Sequence, residues 1–181
     1  MNPAHEAFQA VYLAHFNFVW GALRRLGVRE QDALDMTQKV FLVVYRKLPE
    51  FESRSVIKTW LYRICLHTAS DYRRSAAIRR EVTTDHTELN TLAGSREVVS
   101  EEADARQRAA TAEAILAKLP EAQREAFVLF EIEGMSGQEI AALLEVPLGT
   151  VRSRLRLARD AVTAEVERLS AADPERRKEA V

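Results

Sequence analysis

The chain has 181 residues, 47% of them hydrophobic and 29% charged, with a formal net charge of −1 at pH 7. This balance is typical of a globular protein, and the longest apolar run, Val40–Tyr45, is far too short to span a bilayer. We expect a cytoplasmic protein without membrane insertion, because no signal peptide is visible and the single cysteine, Cys65, excludes an internal disulfide.

Hydrophobic periodicity predicts an all-α chain with a break in its middle. Apolar residues recur at helical spacing, and glycines or prolines supply the stops. The predicted helices are Ala4–Leu26, Glu30–Leu48, Ser55–Arg80, Glu101–Leu119 and Glu121–Glu133. After the third helix the periodicity fades and small polar residues cluster, which predicts a flexible acidic linker between two small helical domains.

The second predicted helix has an apolar residue in the middle of its polar face. Leu42 lies opposite the predicted core stripe, among polar and charged residues. An isolated exposed leucine is ordinary, but one ringed by charged residues also describes a helix-docking surface. The residues alone leave both interpretations open.

The third predicted helix interleaves arginines with aromatic residues. The arginines are Arg63, Arg73, Arg74, Arg79 and Arg80, and the aromatic residues are Trp60, Tyr62 and Tyr72. Such a pattern suits nucleic acid, through phosphate contact and base stacking. The alternative is a core tryptophan with solvated arginines. We favour the core for Trp60 and DNA for Arg73 and Arg74.

The segment Ser136–Arg159 has the pattern of a helix-turn-helix. Ser136 and Glu139 form a capping box, and Pro147 suits the first position of the second helix. That helix carries four arginines and no acid up to Arg159. This is the form of a helix that enters a DNA major groove, although a solvated basic helix shares the composition.

Two sides of this second helix are available to DNA. The residues facing away from its buried stripe are Thr150, Ser153 and Arg154, and those on one flank are Arg152, Arg156 and Arg159. Between the two basic segments, residues 81–113 hold eight acids and three arginines. Because phosphate contacts supply most DNA affinity, a chain with this net charge should bind DNA weakly unless a larger partner adds contacts.

Together these segments resemble the sigma factors of bacterial RNA polymerase, specifically the extracytoplasmic-function (ECF) group of the sigma-70 family. Residues 35–41 (DMTQKVF) are similar to the core-binding segment of region 2, and residues 59–64 (TWLYRI) with 71–74 (DYRR) to its promoter-melting helix. Residues 119–120, 139–141 and 149–154 are similar to region 4. The implied boundaries are region 2 at 1–80, a linker at 81–103, region 4 at 104–172 and a tail at 173–181.

The resemblance implies a promoter-specificity subunit with no active site, metal or cofactor of its own. It implies binding to the polymerase clamp helices through Asp35, Gln38, Lys39 and Leu42. It implies contacts to the −10 element from Lys58, Arg63, His67, Asp71, Arg73 and Arg74, with a flipped base held by the loop 51–56. It implies contacts to the −35 element from Thr150, Arg152, Ser153, Arg154 and Arg156. An anti-sigma protein is a further implied partner.

Two residues depart from the family pattern. Lys39 stands where the family often has an acid, which changes the charge of the clamp-binding face. His67 stands where the family often has asparagine, and histidine cannot copy the bidentate contact of asparagine with adenine. The base preference at the −10 element is therefore the property that is least safely inferred from the family.

Two other functions fit parts of the pattern. A stand-alone helix-turn-helix regulator with a helical sensor domain would need a dimer and a palindromic site. A pure interaction protein would use its basic faces on acidic partners. The near-neutral charge and the face around Leu42 favour the polymerase subunit.

Overall fold

The computed structural model describes residues 3–51, 56–82 and 101–172, and every regular element within them is helical. The α-helices are α1 (Pro3–Arg25), α2 (Glu30–Lys47), α3 (Ile57–Val82), α4 (Glu101–Lys118), α5 (Glu121–Phe127), α6 (Gly137–Leu144) and α7 (Leu148–Ala172). A 3-10 turn covers Leu48–Glu50, and a π-helical turn, Val128–Ile132, follows α5. We call α1–α3 the first domain and α4–α7 the second domain. The predicted all-α fold is confirmed.

Several predicted boundaries need correction. The third helix begins at Ile57 rather than Ser55, and the helix predicted to run to Glu133 changes to π-helical geometry after Phe127. Pro147 precedes α7 instead of occupying its first position, because its carbonyl accepts hydrogen bonds from the Thr150 and Val151 amides at 2.9 and 3.2 Å. Residues 52–55, 83–100 and 173–181 lie outside the described residues, and they include most of the predicted base-binding loop, most of the linker, and the tail.

The first domain is built around the apolar faces of three helices. The buried face of α2 consists of Ala33, Met36, Thr37, Val40, Phe41 and Val44. Gly27 follows α1 with φ +93°, a left-handed conformation that glycine adopts without strain, so a glycine stops the first helix as the sequence predicts. Cys65 is fully buried, and burial raises the pKa of its thiol to about 12, which fits a structural thiol.

The second domain places the helix-turn-helix on a scaffold made by α4 and α5. The predicted buried stripe of α7 is present and consists of Val151, Leu155 and Ala158, with Val162 half-buried beyond it. Between α6 and α7, Glu145 adopts a left-handed conformation with φ 55°, which turns the chain sharply. The buried apolar side chains of both domains belong to one contiguous core, so the two domains pack directly on each other.

The predicted capping box at the start of α6 is present. The Glu139 amide donates to the Ser136 hydroxyl at 3.3 Å, and the Ser136 amide donates to the Glu139 carboxylate at 2.8 Å. These hydrogen bonds lower the pKa of Glu139, because they stabilise its ionised form. The cap therefore fixes where the helix-turn-helix begins.

Removing the cap hydroxyl should destabilise the second domain measurably. We expect Ser136→Ala to lower the free energy of unfolding by about 1 kcal/mol, because one α6 amide loses its acceptor. Thermal unfolding followed by circular dichroism measures this change. Ser170→Ala, at an exposed position of α7, is the matched control and should be nearly neutral. Equal effects of the two substitutions would contradict the assignment of the cap.

Candidate functional surfaces

An exposed face of α2 combines polar residues with apolar ones. Asp35, Gln38, Lys39 and Leu42 all lie at the surface on one side of the helix, and Leu42 is 57% exposed. Next to them lies an open groove with a cavity volume of about 300 Å³. Its lining residues are Phe8, Tyr12, Gln38, Phe41, Leu42 and Tyr45. We call this surface the α2 groove.

Sequence reasoning identified Leu42 but missed the aromatic side chains beside it. Tyr45 is 53% exposed, and its ring meets the edge of Phe8 at a centroid distance of 5.1 Å. The spacing in the sequence could have identified Tyr45, because it follows Leu42 by three residues and therefore lies on the same side of the helix. Phe8 and Tyr12 come from α1, and no local pattern links them to α2. The α2 groove therefore combines an apolar lining with a polar rim, the composition that is typical of docking surfaces.

The exposed side of α3 carries four of the six residues expected at the −10 element. Arg63, His67, Asp71 and Arg74 are all exposed and recur at helical spacing. Arg74 lies 4.0 Å from Asp71, and both side chains remain more than two-thirds exposed. Lys58 is also exposed, and its ammonium lies 5.7 Å from the centre of the Phe18 ring. This face has cationic groups that DNA can reach.

Arg73 does not join this face. Its guanidinium donates to the Leu26 carbonyl and to the carboxylates of Glu121 and Glu125, and its side chain is only 17% exposed. Although partial burial opposes the change, the hydrogen bond and charge of Arg73 lower the pKa of Glu121. In this arrangement the second domain occupies Arg73, whereas the neighbouring Arg74 remains exposed.

The aromatic residues of α3 are not an exposed stacking platform. Tyr62 is buried, and burial raises the pKa of its phenol well above the usual value. Tyr72 is half-buried and donates to Asp32 at 2.6 Å, while Trp60 packs on Phe51 at a ring distance of 4.9 Å. The structure thus supports the core interpretation for Trp60 and extends it to both tyrosines. The side chains of Arg79 and Arg80 lie outside the described part of the chain.

The start of α7 presents most of the residues expected at the −35 element. Arg152, Ser153 and Arg156 are exposed and Thr150 is half-buried. The Ser153 hydroxyl donates to the Gly149 carbonyl at 3.0 Å, and Arg156 lies 3.2 Å from Asp160. A groove with a volume of about 560 Å³ runs along this flank, lined in part by Arg152, Arg156, Arg159 and Phe130.

Arg154 is less exposed than the other arginines of α7. It is half-buried, and its positive charge acts on Glu125 of α5. Burial and the neighbouring Glu121 raise the pKa of Glu125, while the charges of Arg73 and Arg154 lower it. Arg154 is therefore partly exposed to solvent and partly turned toward α5 of the same domain.

Sequence reasoning missed Arg124, a buried cation of α5. Its side chain donates to the Leu116, Ala117 and Leu119 carbonyls at 2.7, 3.0 and 2.8 Å. These hydrogen bonds give acceptor groups at the C-terminal end of α4 the donors that the helix itself does not provide. It also donates to the Leu26 carbonyl of the first domain at 3.2 Å. The sequence contains one local indication that Arg124 is buried, namely that it precedes the buried Val128 by four residues and therefore lies on the same side of the helix.

Family comparisons agree with the arrangement of these surfaces along the chain. Residues 11–78 match the family described as Sigma-70 region 2, and residues 110–162 match the family described as Sigma-70, region 4. The chain belongs to the sigma-70 family. Its resemblance to the ECF group, first drawn from short motifs, is confirmed, and with it the general function of a promoter-specificity subunit in transcription initiation.

Similar proteins carry sigma-factor names. This sigma factor is 32% identical over 168 residues to the RNA polymerase sigma-H factor of Pseudomonas aeruginosa, covering 87% of this chain and 84% of that protein. It is 33% identical over 144 residues to the ECF RNA polymerase sigma-E factor of Escherichia coli, covering 76% of this chain and 75% of that protein. These relatives favour the polymerase subunit over a stand-alone regulator.

Two solved structures share the fold across most of this sigma factor. CnrH, solved with the cytosolic domain of CnrY, is 27% identical with a TM-score of 0.64, covering 90% of this chain and 89% of that one. The sigma factor RpoE of Bartonella quintana, solved with the anti-sigma factor NepR, has a TM-score of 0.69 at 21% identity, covering 90% and 98%. Among the described helices of this sigma factor, none is long and apolar enough to cross a membrane.

Proposed function

We propose that this sigma factor docks on the clamp helices of core RNA polymerase through the α2 groove. Leu42 supplies an apolar anchor, while Asp35, Gln38 and Lys39 form its polar rim. This composition matches the energetic pattern of protein interfaces, in which a few apolar anchors inside a polar rim carry most of the affinity. Lys39 makes the rim less acidic than the family pattern, so docking should be less sensitive to salt.

We propose that the exposed face of α3 contacts the −10 element. Arg63 and Arg74 provide phosphate contacts, with Lys58 beside them, and His67 and Asp71 lie at the centre of the face. Capturing an unstacked base costs a few kcal/mol, which the polymerase-bound state offsets with additional contacts. Arg73 belongs to this surface only when its glutamate partners are released.

We propose that α7 enters the major groove at the −35 element. Thr150, Ser153 and Arg154 lie near base edges or adjacent phosphates, and Arg152 and Arg156 contact the backbone. The supporting observation is the exposed cationic flank of α7, which follows the capped helix α6 after the tight turn at Glu145.

The protein acts in this proposal without catalytic chemistry of its own, in the cytoplasm and in partnership with promoter DNA. Phosphodiester bond formation belongs to the polymerase. The described residues contain no group of three or more histidine, cysteine, aspartate or glutamate side chains that could hold a metal ion. An anti-sigma protein is a further proposed partner, because two solved structures of the same fold are complexes, one of CnrH with the cytosolic domain of CnrY and one of a sigma factor with an anti-sigma factor.

A gel-shift titration separates this proposal from a stand-alone regulator. We expect the free chain to bind duplex promoter DNA no more tightly than about 1 μM, in the range of non-specific binding. Adding core polymerase should produce a specific complex, since two weak modules on one platform gain effective concentration. Tight, specific binding by a free dimer of this chain would contradict the proposal and favour the regulator.

A further inference from the structure

The side of α7 that is proposed to face the −35 element carries a large apolar side chain, Leu157. This residue is 43% exposed. It belongs neither to the core of the described residues nor to the partly buried side chains that pack against that core. The groove beside α7 runs along the arginine flank, and its lining does not include Leu157. Packing within the second domain therefore gives no reason for a leucine at this position.

Helical spacing places Leu157 in line with the residues that are proposed to lie near base edges. It follows Thr150 by seven residues and Ser153 by four, and positions at these intervals share one side of a helix. Arg152 and Arg156 lie on the flank to one side of this line, and the buried stripe of α7 lies on the far side of the helix. A helix that brings Thr150 and Ser153 to the major groove therefore brings Leu157 with them.

Leu157 lies close enough to Thr150 for both side chains to reach one −35 element. Seven residues of α-helix span about 10 Å along the helix axis, and successive base pairs are stacked about 3.4 Å apart. Leu157 can therefore face a base pair that lies within about three steps of the one that faces Thr150.

A leucine discriminates among base pairs by a different chemistry from its polar neighbours. It has no hydrogen-bond donor or acceptor, and the apolar group that a base pair presents in the major groove is the C5-methyl group of thymine. Against a G·C pair, a leucine covers polar base edges without replacing their hydrogen bonds to water, which is unfavourable. Against a thymine methyl group, it removes apolar surface of both partners from water. Leu157 therefore fits an A·T pair.

We propose that Leu157 determines specificity within the −35 element by packing on the C5-methyl group of one thymine. This inference rests on the proposed entry of α7 into the major groove, and it names the base and the atom that are recognised there. Phosphate contacts from the arginine flank position the helix without reading sequence. Leu157 adds selectivity for one A·T pair in one orientation, because the methyl group belongs to a single strand.

Replacement of thymine by uracil tests this contact, because it removes the methyl group and keeps the hydrogen-bonding groups of the base. The probe is a promoter duplex that the holoenzyme selects from a randomised library, with each thymine of its −35 element replaced in turn. Holoenzyme containing the unmodified chain should bind one of these duplexes about fourfold more weakly, which is the affinity equivalent of one buried methyl group. Competition binding at a fixed salt concentration measures this ratio.

Leu157→Ala supplies the other half of a double-mutant cycle. This variant should bind the thymine and uracil duplexes equally at that position, because alanine is too short to reach the methyl group. The matched control is Val166→Ala, which should keep the fourfold preference. Val166 is 46% exposed on the same helix, and its separation of nine residues, or two and a half turns, places it on the opposite side from Leu157. Since both side chains are exposed, neither truncation should lower the melting temperature appreciably.

The outcomes separate this inference from the function on which it rests. A uracil effect that Leu157→Ala cancels and Val166→Ala preserves would support both. A −35 element without an A·T pair, a uracil series without effect, or a thymine preference that Leu157→Ala retains would overturn the methyl contact and leave −35 recognition by α7 in place. Binding that does not depend on the −35 sequence at all would contradict the proposed function of α7, and the methyl contact would fall with it.

Discussion

Leu42→Asp is expected to weaken association with core RNA polymerase about a hundredfold, or about 3 kcal/mol. Leu42 is the most exposed apolar side chain of the α2 groove and lies within its polar rim. The substitution removes an apolar anchor and also buries a carboxylate in the docked state, and both changes oppose binding. Fluorescence anisotropy of the labelled sigma factor, titrated with core polymerase, measures the dissociation constant.

The control for this substitution is Leu13→Asp, which introduces the same charge at a leucine of the same domain that is 71% exposed. Leu13 lies outside the α2 groove, so its replacement should change the dissociation constant less than threefold. Because Leu42 is also exposed, neither variant should lower the melting temperature appreciably. Comparable losses of affinity in both variants would contradict the assignment of the α2 groove as the docking surface.

The double substitution Arg152→Ala and Arg156→Ala is expected to reduce promoter binding by the holoenzyme without changing its sequence preference. Both side chains are exposed on the cationic flank of α7. Loss of two phosphate contacts should lower the slope of log affinity against log salt by about 1.8, since each contact contributes about 0.9. Binding titrations over a series of salt concentrations measure this slope.

A residue near the base edges should behave differently. Thr150→Ala should relax discrimination at one position of the −35 element by about 1 to 3 kcal/mol while leaving the salt slope unchanged. Arg168→Ala, an exposed arginine near the end of α7 that pairs with Glu165, is the control and should alter neither quantity. A loss of sequence preference in the Arg152 and Arg156 double variant would contradict its assignment to the backbone.

Local patterns in the sequence predicted the parts of the fold that depend on neighbouring residues. The capping box at Ser136, the turn at Gly27 and the buried stripe of α7 each arise from residues within a few positions of one another. Their physical causes are hydrogen-bond geometry and helical spacing, which a single sequence displays directly. For the same reason Leu42 was found as an apolar residue on a polar face.

The interdomain contacts could not be predicted in this way. Arg73 meets Glu121 across 48 residues, and Arg25 meets Glu133 across 108 residues. An arginine that is paired inside the protein and an arginine that is exposed to DNA have the same local sequence pattern. Arg73 and Arg74 were therefore given the same expected role, although Arg73 is paired with glutamates and Arg74 is exposed. The half-burial of Arg154 and the action of its charge on Glu125 of another helix likewise depend on residues far apart in the chain.

Reconstituted transcription from a randomised promoter library, with purified core polymerase and this chain as the only proteins, decides whether the chain is a promoter-specificity subunit. We expect transcripts that appear only when the chain is present and whose templates share two sequence elements at a fixed separation. Leu42→Asp should abolish these transcripts, and Leu13→Asp should preserve them. Failure of the chain to associate with core polymerase, or transcripts identical to those made by the core alone, would contradict this function.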